Sequence, residues 1–382
     1  MDLIRLGDIA TYINGYAFKP KDWREKGIPI IRIQNLNDPN KEYNYFDGEI
    51  DSKYLVNEGD ILISWSASIG VYEWRGQQGV LNQHIFKVDF NKIKIDKKYF
   101  KYIVSIALNR ALQYMHGSTM KHITKQYFDN ILIPVPLFDQ QIKIANILDQ
   151  AQELIDKRKA QIEALDELIQ SVFYDMFGDP GLNSKGWETG RISDIIVKTQ
   201  YGTSTKANET EGEYAVLRMN NITYSGNWDF KSLKYVDLDE KDRKKYLVYK
   251  GEVLFNRTNS KELVGKTAVY KREKPMAYAG YLVKATPNNR ANGQFIASYM
   301  NTKYTKSLLF NMAKNIVGMA NINAEEFKNI KVYIPPIEIQ DQFAEIVENI
   351  EKQKELLNES LVELENNFNS LMQRAFNGEP LC

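Results

Sequence analysis

The chain has 382 residues, 43% hydrophobic and 26% charged, with a formal net charge of +1, which predicts two or three globular units and excludes disordered and fibrous classes. Its single cysteine, Cys382, excludes a disulfide framework or a thiolate metal cluster, and His84, His116 and His122 leave little for a metalloenzyme. No apolar run reaches the ~18 residues of a membrane span and the start MDLIRLGDIA lacks the features of a signal peptide, so a cytoplasmic protein with no membrane partner is expected.

Along the chain, IPIIRIQ (28–34), GDILIS (59–64) and QHIFKVD (83–89) are short β-rich runs between Gly, Asn and Asp turn signals. Phe100, Ile103, Val104, Ala107, Leu108, Ala111 and Leu112 follow helical spacing, ending before HGSTMKHIT (116–124). A strand, ILIPVP, then leads into PLFDQQIKIANIL (136–148). The second half repeats this order. Asp8 pairs with Asp194 and Arg32 with Arg218, GDILIS matches GEVLFN (251–256), YAVLRMN (214–220) and YLVKA (281–285) are further strands, and IKVYIPP leads into PPIEIQDQFAEIV (335–347). One long period means duplicated domains rather than a solenoid.

After each junction the pattern changes. Ile144, Leu148, Ala151, Ile155, Arg158, Ile162, Leu165, Ile169, Val172 and Met176 alternate four and three residues apart, as in a heptad seam. The positions 199 residues later, Phe343 to Ala375, repeat it, with Lys354 in the polar place near that of Arg158. The prolines stop the preceding strand, and Asp139 and Glu338 put a carboxylate near each helix start, where the dipole favours it. Two such helices, each about 48 Å long, pack most simply on each other. Antiparallel packing is expected, because it brings together the two points that the second domain joins. Charge divides along the same lines: 18 basic against 16 acidic side chains over 1–139, 4 against 8 over 140–180, 25 against 15 over 181–336 and 3 against 10 over 337–382. Basic heads on acidic helices suit a polyanion held at two places.

The paired junctions, each a proline-rich strand end followed by Gln (Gln141, Gln340) and Ala (Ala145, Ala344) ahead of a heptad helix, resemble the specificity (S) subunit of type I restriction-modification systems. IPIIRIQNL and YAVLRMNNI are similar to that family's early strand motif, and GDILIS to its middle one. The resemblance covers the whole chain. It implies an α/β (α+β) fold with pseudo-two-fold order: target-recognition domains at 1–139 and 181–336, and helical regions at 140–180 and 337–382 packed as an antiparallel coiled coil. It also implies a non-catalytic subunit that reads the two halves of a split double-stranded DNA site and binds two modification (adenine methyltransferase) subunits through its helices. Restriction (translocase and nuclease) subunits complete the larger complex. S-adenosylmethionine, ATP and Mg are then expected in those partners, and no cofactor or metal in this chain.

Base reading in a major groove needs Arg, Lys, Asn, Gln, Ser or Thr on loops or helix ends, with phosphates taken by Lys, Arg and backbone N–H groups. The candidates in the strand motifs are Arg32, Gln34 and Asn35, with Arg218, Asn220 and Asn221 in the second copy. In the loop SWSASIG (64–70) they are Ser64, Ser66 and Ser68, aligned with Asn256, Arg257, Thr258, Asn259 and Lys261 of NRTNSKELVG (256–265), with Lys266 next to it. In HGSTMKHIT they are Ser118, Thr119, Lys121 and His122, aligned with Asn321 of VGMANIN (317–323). Lys261 and Lys266 are expected to contact phosphate. Trp65 fits either a core or a base-stacking platform. GKT (265–267) lacks the earlier glycine of a phosphate loop, since position 260 is serine, and EFK (326–328) has no evident metal-binding partner. No glycine-rich cofactor loop of a methyltransferase occurs. On residues alone, a DNA-acting enzyme with an unrecognised site and a protein-binding helical scaffold stay open.

Overall fold

The computed structural model describes residues 2–38, 40–114, 123–316, 319–379 and 381. Its contacts divide the chain into two compact units, residues 1–159 with 359–382, and residues 160–358. Each unit holds one head, part of one long helix at its start and part of the other at its end.

The first head contains an antiparallel sheet in the order Thr11–Asn14, Ile85–Asp89, Ile61–Ser64, Gly70–Glu73. A second sheet runs Asn44–Phe46, Ile28–Ile31, Gly79–Leu81, Leu55–Val56, with one parallel pairing, Ile28–Ile31 on Gly79–Leu81. A two-stranded ribbon pairs Asp2–Arg5 with Leu132–Val135 and so closes the head beside its own helix start. The second head repeats all three: Ile196–Tyr201, Leu282–Pro287, Val253–Asn256, Thr267–Val269; then Lys234–Val236, Tyr214–Leu217, Met276–Tyr278, Leu247–Val248; then Glu188–Arg191 with Lys331–Ile334. It adds a small sheet of Thr258–Asn259, Met319–Asn321 and Lys314–Ile316.

Two expected strands are shorter than their sequence runs. IPIIRIQ is a strand only to Ile31, and Ile33–Asn37 is helical; YAVLRMN stops at Leu217, and Met219–Asn221 forms a helical turn. The cause is asparagine. Asn35 Oδ1 accepts from Arg32 N at 3.2 Å and Asn221 Oδ1 from Arg218 N at 2.9 Å, a side-chain cap that competes with the strand ladder. The expected helix is Lys97–Tyr114 in the first head, but its counterpart breaks into Gly293–Met300 and Lys303–Met312, where Thr302 caps the second piece by accepting from Thr305 N at 3.3 Å.

The long helices run Phe138–Phe177 and Ile337–Asn377. Asp139 and Glu338 lie in their first turns, and Gly178 and Gly378 follow their ends with φ of 79° and 75°, a conformation glycine adopts without strain. Inside each unit the two helices run antiparallel. In residues 160–358, Phe173 and Phe177 lie against Phe343 with ring centroids 5.6 and 5.3 Å apart, and Lys354 Nζ meets Asp166 at 2.5 Å. In the other unit Lys159 Nζ meets Glu365 at 3.0 Å. Each helix pair shares its head's core: Ile144, Ala145, Met372 and Phe376 join the first, and Phe173, Phe177, Phe343 and Val347 the second.

The junctions that open the helices are built on Gln141 and Gln340, both buried. Gln340 Nε2 donates to Pro335 O at 2.7 Å and Arg290 O at 3.0 Å, while its Oε1 accepts from Asn292 N at 3.0 Å. Gln141 does the same with Pro136 O at 2.9 Å and Asp96 N at 2.9 Å. Asn292 and Asp96 precede the head helices, so each glutamine locks the start of a long helix to the start of a head helix.

Candidate nucleic-acid interface

At one end of each four-stranded antiparallel sheet, loops from three strands converge. In residues 160–358 the strand Val253–Asn256 leaves its sheet at Arg257, whose backbone is held on both sides: its N–H donates to Tyr281 O at 3.0 Å and its carbonyl accepts from Ile322 N at 2.9 Å. The guanidinium lies 5.0 Å from the centroid of the Tyr201 ring and donates through Nη2 to Asn321 Oδ1 at 3.2 Å. Asn321 Nδ2 donates onward to Thr258 Oγ1 at 2.8 Å, and the Tyr201 hydroxyl accepts from Ala324 N at 3.0 Å. Tyr201 and Tyr281, both more than two-fifths exposed, flank the arginine.

The first head repeats the backbone and changes the side chains. Trp65 N–H donates to His84 O at 3.3 Å and Trp65 O accepts from Ile123 N at 3.1 Å, so Trp65 occupies the place of Arg257 and His84 that of Tyr281. Asn14 corresponds to Tyr201: each pairs across its sheet, with Phe86 and Val283 respectively, and precedes a glycine whose N–H bonds the neighbouring strand. At those glycines, Gly15 and Gly202, a Cβ would meet backbone oxygens at 2.0 and 2.3 Å, so no other residue fits. The Trp65 indole donates to Asn14 Oδ1 at 3.2 Å and its ring sits 4.8 Å from His84 and 5.7 Å from Phe86. Thus Asn14, Trp65 and His84 in one head stand where Tyr201, Arg257 and Tyr281 stand in the other.

The structure brings together Arg257, Thr258, Asn259 and Asn321 as the loop alignment expects, while Ser66 and Ser68 lie in the first head's corresponding loop. Ser118, Thr119, Lys121 and His122 lie outside the described residues. Lys261 is half-buried with its Nζ 4.4 Å from the Phe310 ring centroid. Gln34 and Asn220 are exposed, in the helical turns that follow the strands Ile28–Ile31 and Tyr214–Leu217. Arg32 donates to Asn44 Oδ1 at 2.9 Å and lies 5.2 Å from the Trp23 ring, and Arg218 donates to Ser232 O at 2.8 Å, so both are engaged inside their heads.

Six expected contacts are corrected by burial. Asn35 and Asn221 are enclosed caps that also donate to Lys41 O at 3.1 Å and Asp229 O at 2.7 Å. Ser64 is buried and donates to Ser66 O at 3.1 Å; Asn256 is buried and accepts from Thr258 N at 3.3 Å; Thr258 is buried under Asn321. Lys266 is 7% exposed, with Nζ bonded to Met219 O at 2.8 Å and Ile222 O at 2.5 Å, so it ties two loops together instead of meeting a phosphate. Burial holds its pKa below the usual lysine value. Glu326 of EFK is also structural: it accepts from Asn323 N at 2.9 Å as a helix cap, and Lys314 at 2.7 Å holds its carboxyl below the usual range.

Asn14, His84, Tyr201 and Tyr281 were not among the sequence-derived candidates. No local motif marks them; they appear only when the two copies are aligned strand by strand, with a different offset at each strand.

Two copies of one α/β head, each running into a long helix and each presenting the same loop platform with different polar and aromatic side chains, define a duplicated recognition protein. The chain belongs to the family described as "Type I restriction modification DNA specificity domain", which matches residues 1–164 and 184–366. It is similar to the type I restriction enzyme EcoBI specificity subunit of Escherichia coli, 23% identical over 98% of this chain and 85% of that one. The EcoKI specificity subunit of Escherichia coli (strain K12) is 24% identical over 97% and 87%, and the MjaVIII specificity subunit of Methanocaldococcus jannaschii 23% over 99% and 92%. Among solved structures, the type I restriction-modification S subunit from M. genitalium matches with a TM-score of 0.56 at 15% identity, over 98% of this chain and 96% of that chain. A chain from a type I R-M system solved for its complex assembly and conformational transition matches with a TM-score of 0.61 at 15% identity, over 98% and 97%. The protein is a type I DNA specificity subunit. Among the described residues no helix is long and apolar enough to cross a membrane.

Proposed function

We propose that the two heads each read one half of a split double-stranded DNA site, and that the chain contributes no catalytic centre of its own. The observation that carries this reading is the loop platform present twice: an identical backbone holds Asn14, Trp65 and His84 in one head and Tyr201, Arg257 and Tyr281 in the other. Two readers of one fold with different base-facing chemistry need two different half-sites. The long helices bind two modification subunits, which bring S-adenosylmethionine and methylate adenine, and the restriction subunits bring ATP and Mg for translocation and cleavage. The named relatives, subunits of such enzymes, support this assignment of roles. The test is reconstitution. The pure chain should neither cleave nor methylate DNA, and with its modification subunits it should direct methylation to one two-part motif. Methylation or cleavage by the chain alone would overturn the reading.

A further inference from the structure

Arg257 is held in place before DNA arrives. Its backbone is bonded on both sides, its guanidinium lies on the Tyr201 ring, and Nη2 is committed to Asn321 Oδ1. Asn321 is itself held by its bond to Thr258. The Nε–H is buried and, among the described residues, has no hydrogen-bond partner. A guanidinium stacked on an aromatic ring keeps a planar fork of donors in a set orientation, and such a fork matches the O6 and N7 acceptors of guanine, which lysine can reach only without that fixed planar geometry. At the register of Arg257 the first head has Trp65, whose single indole N–H is donated to Asn14.

We propose that Arg257 reads a guanine in the half-site bound by the head within residues 160–358. This rests on the two-reader function proposed above. The experiment uses the complex of the full chain with its modification subunits. The motif methylated by the wild-type complex is determined first, and duplex oligonucleotides then carry each base in turn at every position of both half-sites. Arg257→Ala, Arg257→Gln and Arg257→Lys are compared with wild type, with thermal melting of each complex as the check on folding.

Arg257→Ala and Arg257→Gln should lose about tenfold to a hundredfold of discrimination for guanine at one position of one half-site, Arg257→Lys should lose less, and all three should leave the other half-site as it was. Arg257→Ala is decisive: loss of a phosphate contact would weaken binding to every sequence alike, whereas loss of a guanine contact removes a preference at one position. Retained guanine preference in Arg257→Ala, an altered preference in the other half-site, or complete loss of methylation by variants that melt as wild type does would each overturn the proposal. A wild-type complex with no two-part motif would instead remove the function on which the proposal rests. A two-part motif that all three variants read unchanged would remove this inference alone.

Discussion

Lys266 and Lys306 show how far a lysine can be from the role its charge suggests. Replacing Lys266 by Ala strands the carbonyls of Met219 and Ile222 in a buried place and should destabilise the protein by about 2–3 kcal/mol in urea unfolding. The salt dependence of DNA binding by the assembled complex should keep its slope, since no phosphate contact is lost. Lys306 donates to Tyr224 O at 2.6 Å with Nζ 3.6 Å from the Tyr224 ring centroid, and burial pulls its pKa from 10.5 down to about 8. The folded value is the lower one, so between pH 8 and 10.5 the unfolded chain binds more protons and folding gains stability as pH rises. Urea midpoints taken at about pH 7.5 and 9.5 should therefore diverge between wild type and Lys306→Met, wild type gaining about 1 kcal/mol per pH unit relative to the variant. An equal pH response in both would show that Lys306 is as solvated in the fold as in the open chain.

At the scale of elements, the glutamine junctions and the polar pair between the helices carry the architecture. Gln340→Ala removes three bonds and Gln141→Ala two, so both should destabilise, by about 2–4 kcal/mol, with Gln340→Ala the costlier. Glutamate should rescue neither, because a carboxylate can accept from Asn292 N or Asp96 N but cannot donate to the proline carbonyls. Lys354 interrupts an apolar seam, and Asp166 answers it while also accepting from Asn227 Nδ2 at 3.1 Å. Asp166→Ala should cost more than Asp166→Ala combined with Lys354→Leu, because the single change leaves an ammonium with its partner gone while the double change completes the seam. A double-mutant cycle that shows no coupling would sink that account.

These elements also mark what the sequence made legible. Periodicity gave both helices and turn signals most strands, because each rests on local spacing. The repeat at Gln141 and Gln340 was visible, but not its reason, which depends on a carbonyl and an N–H from distant segments. Arg32 and Arg218 lay in a recognisable motif, yet the motif's polar residues serve to turn the chain, since a side-chain cap and a base contact use the same asparagine. Asn14 and Tyr201 share no residue type, so only strand register and the glycine that follows relate them.

For the whole molecule the claim is modularity. Each head has its own two sheets, its own ribbon and its own core, joined to helix ends that belong to the same compact unit. Exchanging residues 1–139 for the equivalent head of a related subunit should preserve folding if the receiving junction keeps the Gln141 contacts with residues equivalent to Asp96 and Pro136. The measurement that bears most directly on this is sequencing of methylated bases in host DNA, with the wild-type gene, without it, and with the exchanged head. The account predicts one two-part methylated motif that disappears without the gene, and in the exchange strain a motif with one half replaced and the other, read by the head around Arg257, unchanged. Both halves changing together, or a motif indifferent to the exchange, would contradict it.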